Sequence, residues 1–244
     1  MNAPTPSFPP LFVGMPVAAQ ADPFAKAIAE ATLGCDSGLI VYAEGSDRLR
    51  AAIVFAPESS LDQAMAILPA CGVGFQNALG ALAPPEVAVH LDWDGRVFVN
   101  GARCGGLQVA ASHQEGDAEP DWIVVGLEIP FLPENPDSPG ATPDSTSLYE
   151  EGCAEVDQTL LLEAWARHTL VWISRLEEDG VRALHGEWRG LARNLGEDVT
   201  VHLGDDTHEG TFLGVDEHFG MLLRVGDVTT SLPLRSVLST GDAP

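Results

Sequence analysis

The chain has 244 residues, 45% of them hydrophobic, which suffices for one large domain or for a medium domain plus a small one. Thirty-six acidic residues against twelve basic ones give a formal charge of −24. That balance argues against nucleic-acid binding, which needs a basic face to release counterions from phosphates.

The start, MNAPTPSFPPLFVG, has neither the positive region nor the apolar core of a signal peptide, and no apolar run approaches the ~18 residues of a membrane span. The expectation is a cytoplasmic protein without nucleic-acid or membrane partners. Lys26 is the single lysine, so any chemistry that needs an ammonium group must use it or do without. The cysteines Cys35, Cys71, Cys104 and Cys153 show no C-x-x-C pair and read as buried thiols in a reducing compartment.

Residues 1–20 are rich in proline and read as a strap or frayed end. A helix follows, with Asp22 as N-cap, Pro23 in the first turn, Gly34 at the C-terminal cap, and Phe24, Ile28 and Ala31 on one apolar face. GLIVYA (38–43) and LRAAIVFAP (49–57) read as strands joined by the short turn EGSD. SLDQAMAIL and VGFQNALGAL read as two helices with a break at Pro69 and Gly72. Strands are expected at EVAVHLDW, RVFVNG, GGLQVAAS and DWIVVGLEIPF, with turns at Asp94-Gly95 and Asn100-Gly101.

Residues 131–147 hold four prolines and read as a long surface loop. The strongest helix runs from the cap Asp157 to Gly180, with Leu162, Trp165, Thr169, Trp172, Ile173 and Leu176 on one face. A short helix over roughly 184–194 leads to four short strands with turn residues every 8–10 positions, a spacing that suggests a small closed sheet of SH3-like size. The organisation expected is a Pro-rich segment 1–20, an α+β domain 21–190 with a mostly antiparallel sheet, and a small all-β domain 191–244.

Spacing alone supplies no self-sufficient catalytic signature. Gly72, Gly74 and Gly80 miss the dinucleotide fingerprint, and there is no phosphate-binding G-x-x-x-x-G-K-[ST] loop. There is no H-E-x-x-H pair and no G-x-S-x-G elbow. VDEH (215–218) offers metal-type ligands but reads as a solvated turn, so no metal site is expected. Cys104 beside Arg103 is either an activated thiol or, as the commoner case, a small buried residue in a tight hairpin.

A resemblance takes the reading further. LYEEGCAEVDQTLLLEAWARHTLVWISRLEEDG resembles the long helix that closes the catalytic domain of biotin protein ligases, and LHGEWRGLARNLGEDVTVHLGDDTHEGTFLGVDEHFGMLLR resembles their linker helix and SH3-like cap. The wider biotin/lipoate protein ligase superfamily is similar over residues 20–240. The resemblance implies a class II synthetase-like α+β catalytic fold followed by an SH3-like barrel, with ATP and Mg²⁺ and a biotin- or lipoate-like acid as ligands. It also implies a biotinyl or lipoyl carrier protein as partner. Exposed strand edges leave homodimer formation open, and a chain that begins almost at the catalytic-like helix argues against a DNA-binding repressor.

In that family one strand carries a K-W-P-N-D-type segment, and a hairpin ends in K-x-x-G-[IV]-L. VHLDWDG and ARCGGLQV occupy those places here. The resemblance therefore puts His90 where the ligand-contacting lysine stands, keeps Asp94 as the final acid, and puts Arg103 at the basic residue before the Gly105-Gly106 turn. His90, Arg103 and Asp94 are the implied catalytic set. Asp22 and Phe24 stand at the helix start, Glu44 near a glutamine-like position, and Arg48 and Arg50 as remnants of an Arg/Gly-rich adenylate loop. With Gly105 and Gly106 these form the implied ligand-binding set.

The loop itself is replaced by EGSD, and Pro130 replaces an asparagine. Joining a carboxylate to the α-phosphate of ATP requires neutralising two anions. Two readings stay open: a divergent ligase, and a non-catalytic relative that binds a small acyl ligand or docks a carrier domain.

Overall fold

In a computed structural model of the chain, which describes residues 5–133 and 144–239, strands with apolar residues on both sides form the middle of a seven-stranded sheet. β2 (Leu39–Ala43), β3 (Arg48–Phe55) and β7 (Ile123–Pro130) are buried over most of their length, as their near-continuous apolar runs require. β1 (Val13–Val17) lies at one edge. β4 (Val89–Leu91), β5 (Arg96–Val99) and β6 (Ala102–Ala111) extend the other side, in the order β1-β2-β3-β7-β6-β5-β4. Only β1 and β2 run parallel; the other neighbours are antiparallel. The stretch 13–17 is thus an edge strand rather than a frayed end. An edge pairs its backbone on one side only, and so tolerates Pro16.

The two sheet faces are covered unequally. α3 (Ile67–Leu82) and α4 (Gln158–Asp179) pack with the inward residues of β2, β3, β5, β6 and β7 in the main hydrophobic core. On the other face the single ten-residue helix α1 (Pro23–Thr32) covers Val41, Ala52, Val54, Ala110 and Val124 through Phe24, Ala27 and Ala31, with Met15, Val17, Leu39 and Trp122 packed at the margin. Asp22 caps α1 by accepting from Phe24 N at 2.8 Å, and Gly34, one residue past the cap, takes a positive φ.

The helix break expected at Pro69 and Gly72 lies instead at Met65-Ala66, between α2 (Leu61–Ala64) and α3. Pro69 is the third residue of α3, where a backbone N–H has no intrahelical partner to lose. Residues 61–82 are long and apolar enough to cross a membrane by length and composition, contrary to the expectation that no run approaches that length; 72% of the segment's most apolar window is buried within the protein.

α4 begins at the Asp157 cap, which accepts from Leu160 N at 2.9 Å, and stops at Gly180. Leu162, Trp165, Thr169 and Trp172 are buried along its inner face, and Trp165 Nε1 donates to the Cys71 carbonyl of α3 at 3.1 Å. The two helices meet at Gly74, where an added Cβ would lie 2.7 Å from Thr169 Oγ1 and 3.0 Å from its backbone nitrogen. All four cysteines are free, with Cys71, Cys104 and Cys153 buried.

α5 (Arg182–Leu191) leads into β8 (Asp198–Leu203), β9 (Asp206–Val215), β10 (Met221–Val225) and β11 (Val228–Leu232), an antiparallel meander. Its order, β11-β10-β9-β8, is that of an open sheet: among the described residues no ladder joins β8 to β11, so the expected closed barrel is not formed. Asp216 shapes the β9–β10 turn by accepting from His218 N, Gly220 N and Ser231 Oγ at 3.0, 2.7 and 2.6 Å. This presents Phe219, which has a φ of 60°, to the main body. Trp93 Nε1 donates to the Phe219 carbonyl at 2.7 Å, while the rings of His185 and Trp188 pack edge-on against the Phe219 ring.

Two outcomes follow from this packing. Gly74→Ala forces α3 and α4 apart and lowers unfolding free energy by about 1–3 kcal/mol, measured by urea denaturation. Burial pushes the His185 imidazole below its ordinary pKa, against the pull of Asp216 and the Glu217 backbone, with His218 adding repulsion. Burial and Arg167 lower His168 likewise. As pH falls through about 6.5 the unfolded chain takes up these protons before the folded one, so stability drops as pH falls below that value. The double variant His168→Gln/His185→Gln flattens that slope in a pH series of thermal melts; an unchanged slope assigns it to other groups.

Candidate functional site

The half of the sheet face that α1 leaves uncovered carries two adjacent rows of side chains. In one row, His90 on β4 faces Phe98 on β5, which faces Arg103 on β6. In the next, Arg50 on β3, Glu128 on β7, Gly106 on β6 and Arg96 on β5 are successive register partners. Alternation puts these residues together: Val97, Val99, Cys104, Leu107 and Leu127, their chain neighbours, all point into the main core. A third row, Ala52, Gly126 and Gln108, lies against Phe24 at the start of α1, where an added Cβ on Gly126 would sit 2.8 Å from the Phe24 ring.

Arg103 and Gly106 are three residues apart yet share a face because the ladder shifts register between them. Gly105 supplies the extra residue, with φ +79°, and a Cβ there would run into the Glu128 carbonyl. Asn100 and Gly101 both take positive φ, the geometry of the tight hairpin turn expected from the sequence. Behind the bulge, burial pushes the Cys104 thiol up to about 12, helped by Glu151, Cys153 and Glu150, which leaves no reactive thiolate near neutral pH.

Charge is concentrated at the β4–β5 end. Arg96 meets Asp92 at 3.3 Å and Asp94 at 2.9 Å. Burial raises the Asp92 carboxyl, and Asp94 adds repulsion, while Arg96, Arg193 and Arg103 all pull the other way. Arg193 arrives from outside the sheet. The connector after α5 forms a parallel bridge beside β4, Leu91 with Ala192, and Arg193 N donates to the Leu91 carbonyl at 3.0 Å. Its guanidinium sits over the Phe98 ring, 3.6 Å from the centroid. A groove of about 380 Å³ opens there, between the hairpin and the C-terminal sheet, lined by Arg96, Arg193 and Phe98 and by the carboxylates Asp92, Asp94, Glu197 and Asp198 among others.

The structure gathers His90, Arg103, Gly105, Gly106 and Arg50 on one face, with Asp94 at its rim. Arg48 borders it and meets Glu128 at 3.0 Å. Arg50 donates to the Ala19 carbonyl, and its buried Nε has no partner among the described residues. Both remnants of the expected adenylate loop are therefore engaged within the fold. Asp22 serves as the helix cap and Phe24 as packing at the margin.

Glu44 is not brought in: it is exposed beyond β2 and acts electrostatically on Tyr42, which faces the opposite side. Of the loop expected over 131–147, residues 134–143 lie outside the described residues; its end is pinned, with Arg103 N donating to the Asp144 carbonyl and Thr146 N to that of Arg103. Sequence reasoning missed Phe98, Arg96 and Arg193. Phe98 and Arg96 were legible as outward positions of a strand, whereas nothing local marked Arg193.

A family model described as the biotin/lipoate A/B protein ligase family matches residues 8–190, and one described as a domain of unknown function matches residues 195–240. The chain belongs to the biotin/lipoate A/B protein ligase family. A biotin–[acetyl-CoA-carboxylase] ligase of Paracoccus denitrificans is 24% identical over 173 residues, 70% of this chain and 72% of that protein. A crystal structure of a biotin protein ligase-like protein of unknown function from Silicibacter sp. is 56% identical, with a TM-score of 0.89 over 97% of this chain and 100% of that one. The biotin protein ligase of Aquifex aeolicus in complex with biotin and ATP shares the fold, with a TM-score of 0.69, 16% identity, and 90% and 95% of the two chains covered.

The open face suits an anionic ligand, since Arg103 and Arg193 carry no ion pair among the described residues. No group of three metal-type ligands occurs among the described residues. Mg²⁺ commonly rides on substrate phosphates with one or two carboxylates, and Asp92 and Asp94 are the acids at hand, both already facing Arg96.

Gly105→Ala strains the bulge and pushes β6 from β7. The expected loss is about 1–3 kcal/mol, read as a lower midpoint in chemical denaturation, whereas Gly101→Ala, with open space around it, costs less.

Proposed function

We propose that this chain is a divergent ligase that takes a biotin- or lipoate-like carboxylic acid and a nucleotide phosphate on the open half of its sheet. The observation that carries the reading is the row His90–Phe98–Arg103, which sets two cation-bearing side chains on either side of an apolar ring. In the reaction of this class a carboxylate oxygen attacks the α-phosphorus of ATP, the bond to the β-phosphate breaks, and pyrophosphate leaves. A carrier lysine amine then attacks the acyl carbon and AMP leaves. Arg103 would neutralise the meeting anions, and His90 would do so in its protonated form. Phe24, packed over Gly126, would bound the ligand at the α1 side. Biotin ligases among the relatives, one of them described as acting on acetyl-CoA carboxylase, support a biotin-type acid and a carrier partner.

A second reading has its own observation. The four-residue turn Glu44–Asp47 stands where the family carries its Arg/Gly-rich loop, and Arg48 and Arg50 are held by Glu128 and Ala19. On that reading the chain binds the acid, or docks a carrier domain, without activating it.

Pyrophosphate release with ATP·Mg²⁺ and biotin, lipoate or octanoate separates the two, run beside a thermal-shift titration. Release that needs one acid, and falls about 10²–10³-fold in Arg103→Ala, establishes the ligase. A thermal shift without release establishes the binding relative, and neither signal with any acid rejects both.

A further inference from the structure

Arg193 is the cation that the site's own strands do not provide. It belongs to the connector between α5 and the C-terminal sheet, a segment that the sequence singles out only as the end of a short helix. Its backbone is fixed by the bridge to Leu91, one residue from His90. Its guanidinium lies over Phe98, the ring that separates His90 from Arg103. The guanidinium carbon lies 3.6 Å from the ring centroid, so the charge is held against the apolar ring at the sheet surface. Arg96, Arg193 and Arg103 all act electrostatically on Asp92, and of the three Arg96 meets it directly, at 3.3 Å. Arg96 is satisfied by Asp92 and Asp94, whereas Arg193 has no ion pair among the described residues. In a chain of charge −24, two guanidiniums without an ion pair among the described residues thus stand near one phenylalanine, beside the imidazole of His90.

We propose that Arg193 is a ligand-contacting residue, which closes the third side of an anion cradle with Arg103 and His90 over Phe98 and holds the carboxylate or phosphate of the bound ligand. The proposal rests on the small-anion site proposed above and adds to it a residue from outside the catalytic sheet. It also couples the site to the C-terminal unit. Arg193 is followed by Asn194, which takes a positive φ of 57°, and β8 begins at Asp198, so the residue stands at the junction with the C-terminal sheet. The alternative is that Arg193 only pins the connector through its backbone and its stacking; that role needs the side chain's shape and not its charge.

The test is calorimetric titration of the full chain with four probes: AMP and pyrophosphate for a phosphate, and biotin and lipoate for a carboxylate. Arg193→Met keeps an unbranched, polarisable side chain over Phe98 and removes the charge, Arg193→Lys keeps the charge, and Arg224→Ala removes an exposed cation of β10 as control. The expected result is a loss of affinity of tenfold or more in Arg193→Met for each probe that the wild-type chain binds. Arg193→Lys should recover part of that loss, Arg224→Ala should bind as wild type, and the melting temperatures should stay close.

Loss confined to AMP and pyrophosphate assigns the cradle to a phosphate, and loss confined to the acids assigns it to a carboxylate. Arg193→Met binding as wild type, while Arg103→Ala does not bind, overturns the role of Arg193 and leaves the site intact. Affinity lost only in step with melting temperature, and equally in Arg193→Lys, also overturns it in favour of pinning. A wild-type chain that binds none of the four rejects the anion site itself and this role with it.

Discussion

One short helix lies across a sheet too wide for it. α1 is ten residues long and shields the face of β2, β3 and part of β6 and β7, while two longer helices cover the opposite face. The outward positions of the remaining rows on β4, β5, β6 and the ends of β3 and β7 carry His, Arg, Glu, Gln and Gly, with Phe98 as the apolar exception beneath Arg193. The same strands stay apolar on their inner side, so the site is held on a rigid support rather than on loops.

Within that patch the cations fall into two groups. Arg48 and Arg50 tie β3 to Glu128 and to the backbone at Ala19, so they fasten the N-terminal segment and the sheet. Arg96 is held by two carboxylates at the hairpin turn. Arg103 and Arg193 keep their charge toward the open surface. An acidic chain with one lysine thereby supplies the cations of this patch by arginine, whose planar donors suit carboxylate and phosphate.

The C-terminal sheet is locked to this patch. The turn shaped by Asp216 inserts Phe219 between Trp93 of the β4–β5 hairpin and the α5 residues His185 and Trp188. One continuous hydrophobic cluster runs through Trp93, Trp188, Phe212, Phe219 and the helices α3 and α4. The stretch GTFLGVD, part of the segment that resembles the ligases' cap, thus has a folding role: its aspartate makes the turn that seats the aromatic plug.

The sequence by itself determined the elements and their facing. Strand alternation, the Asp22 and Asp157 caps, the two glycine turns of the central hairpin and the 3.6-residue face of α4 are local preferences that tertiary contacts reinforced. Local rules failed where context changed their meaning. Pro69 reads as a helix breaker but lies in a first turn, where it costs nothing, and residues 13–17 became a strand because β2 offered an unpaired edge. Only the tertiary structure decided the composition of the site. Cross-strand register set Phe98 between His90 and Arg103, the Gly105 bulge returned Arg103 and Gly106 to one face, and a connector far along the chain laid Arg193 on that ring. Such neighbours are fixed by register and packing across distant segments, and no periodicity within either segment encodes them.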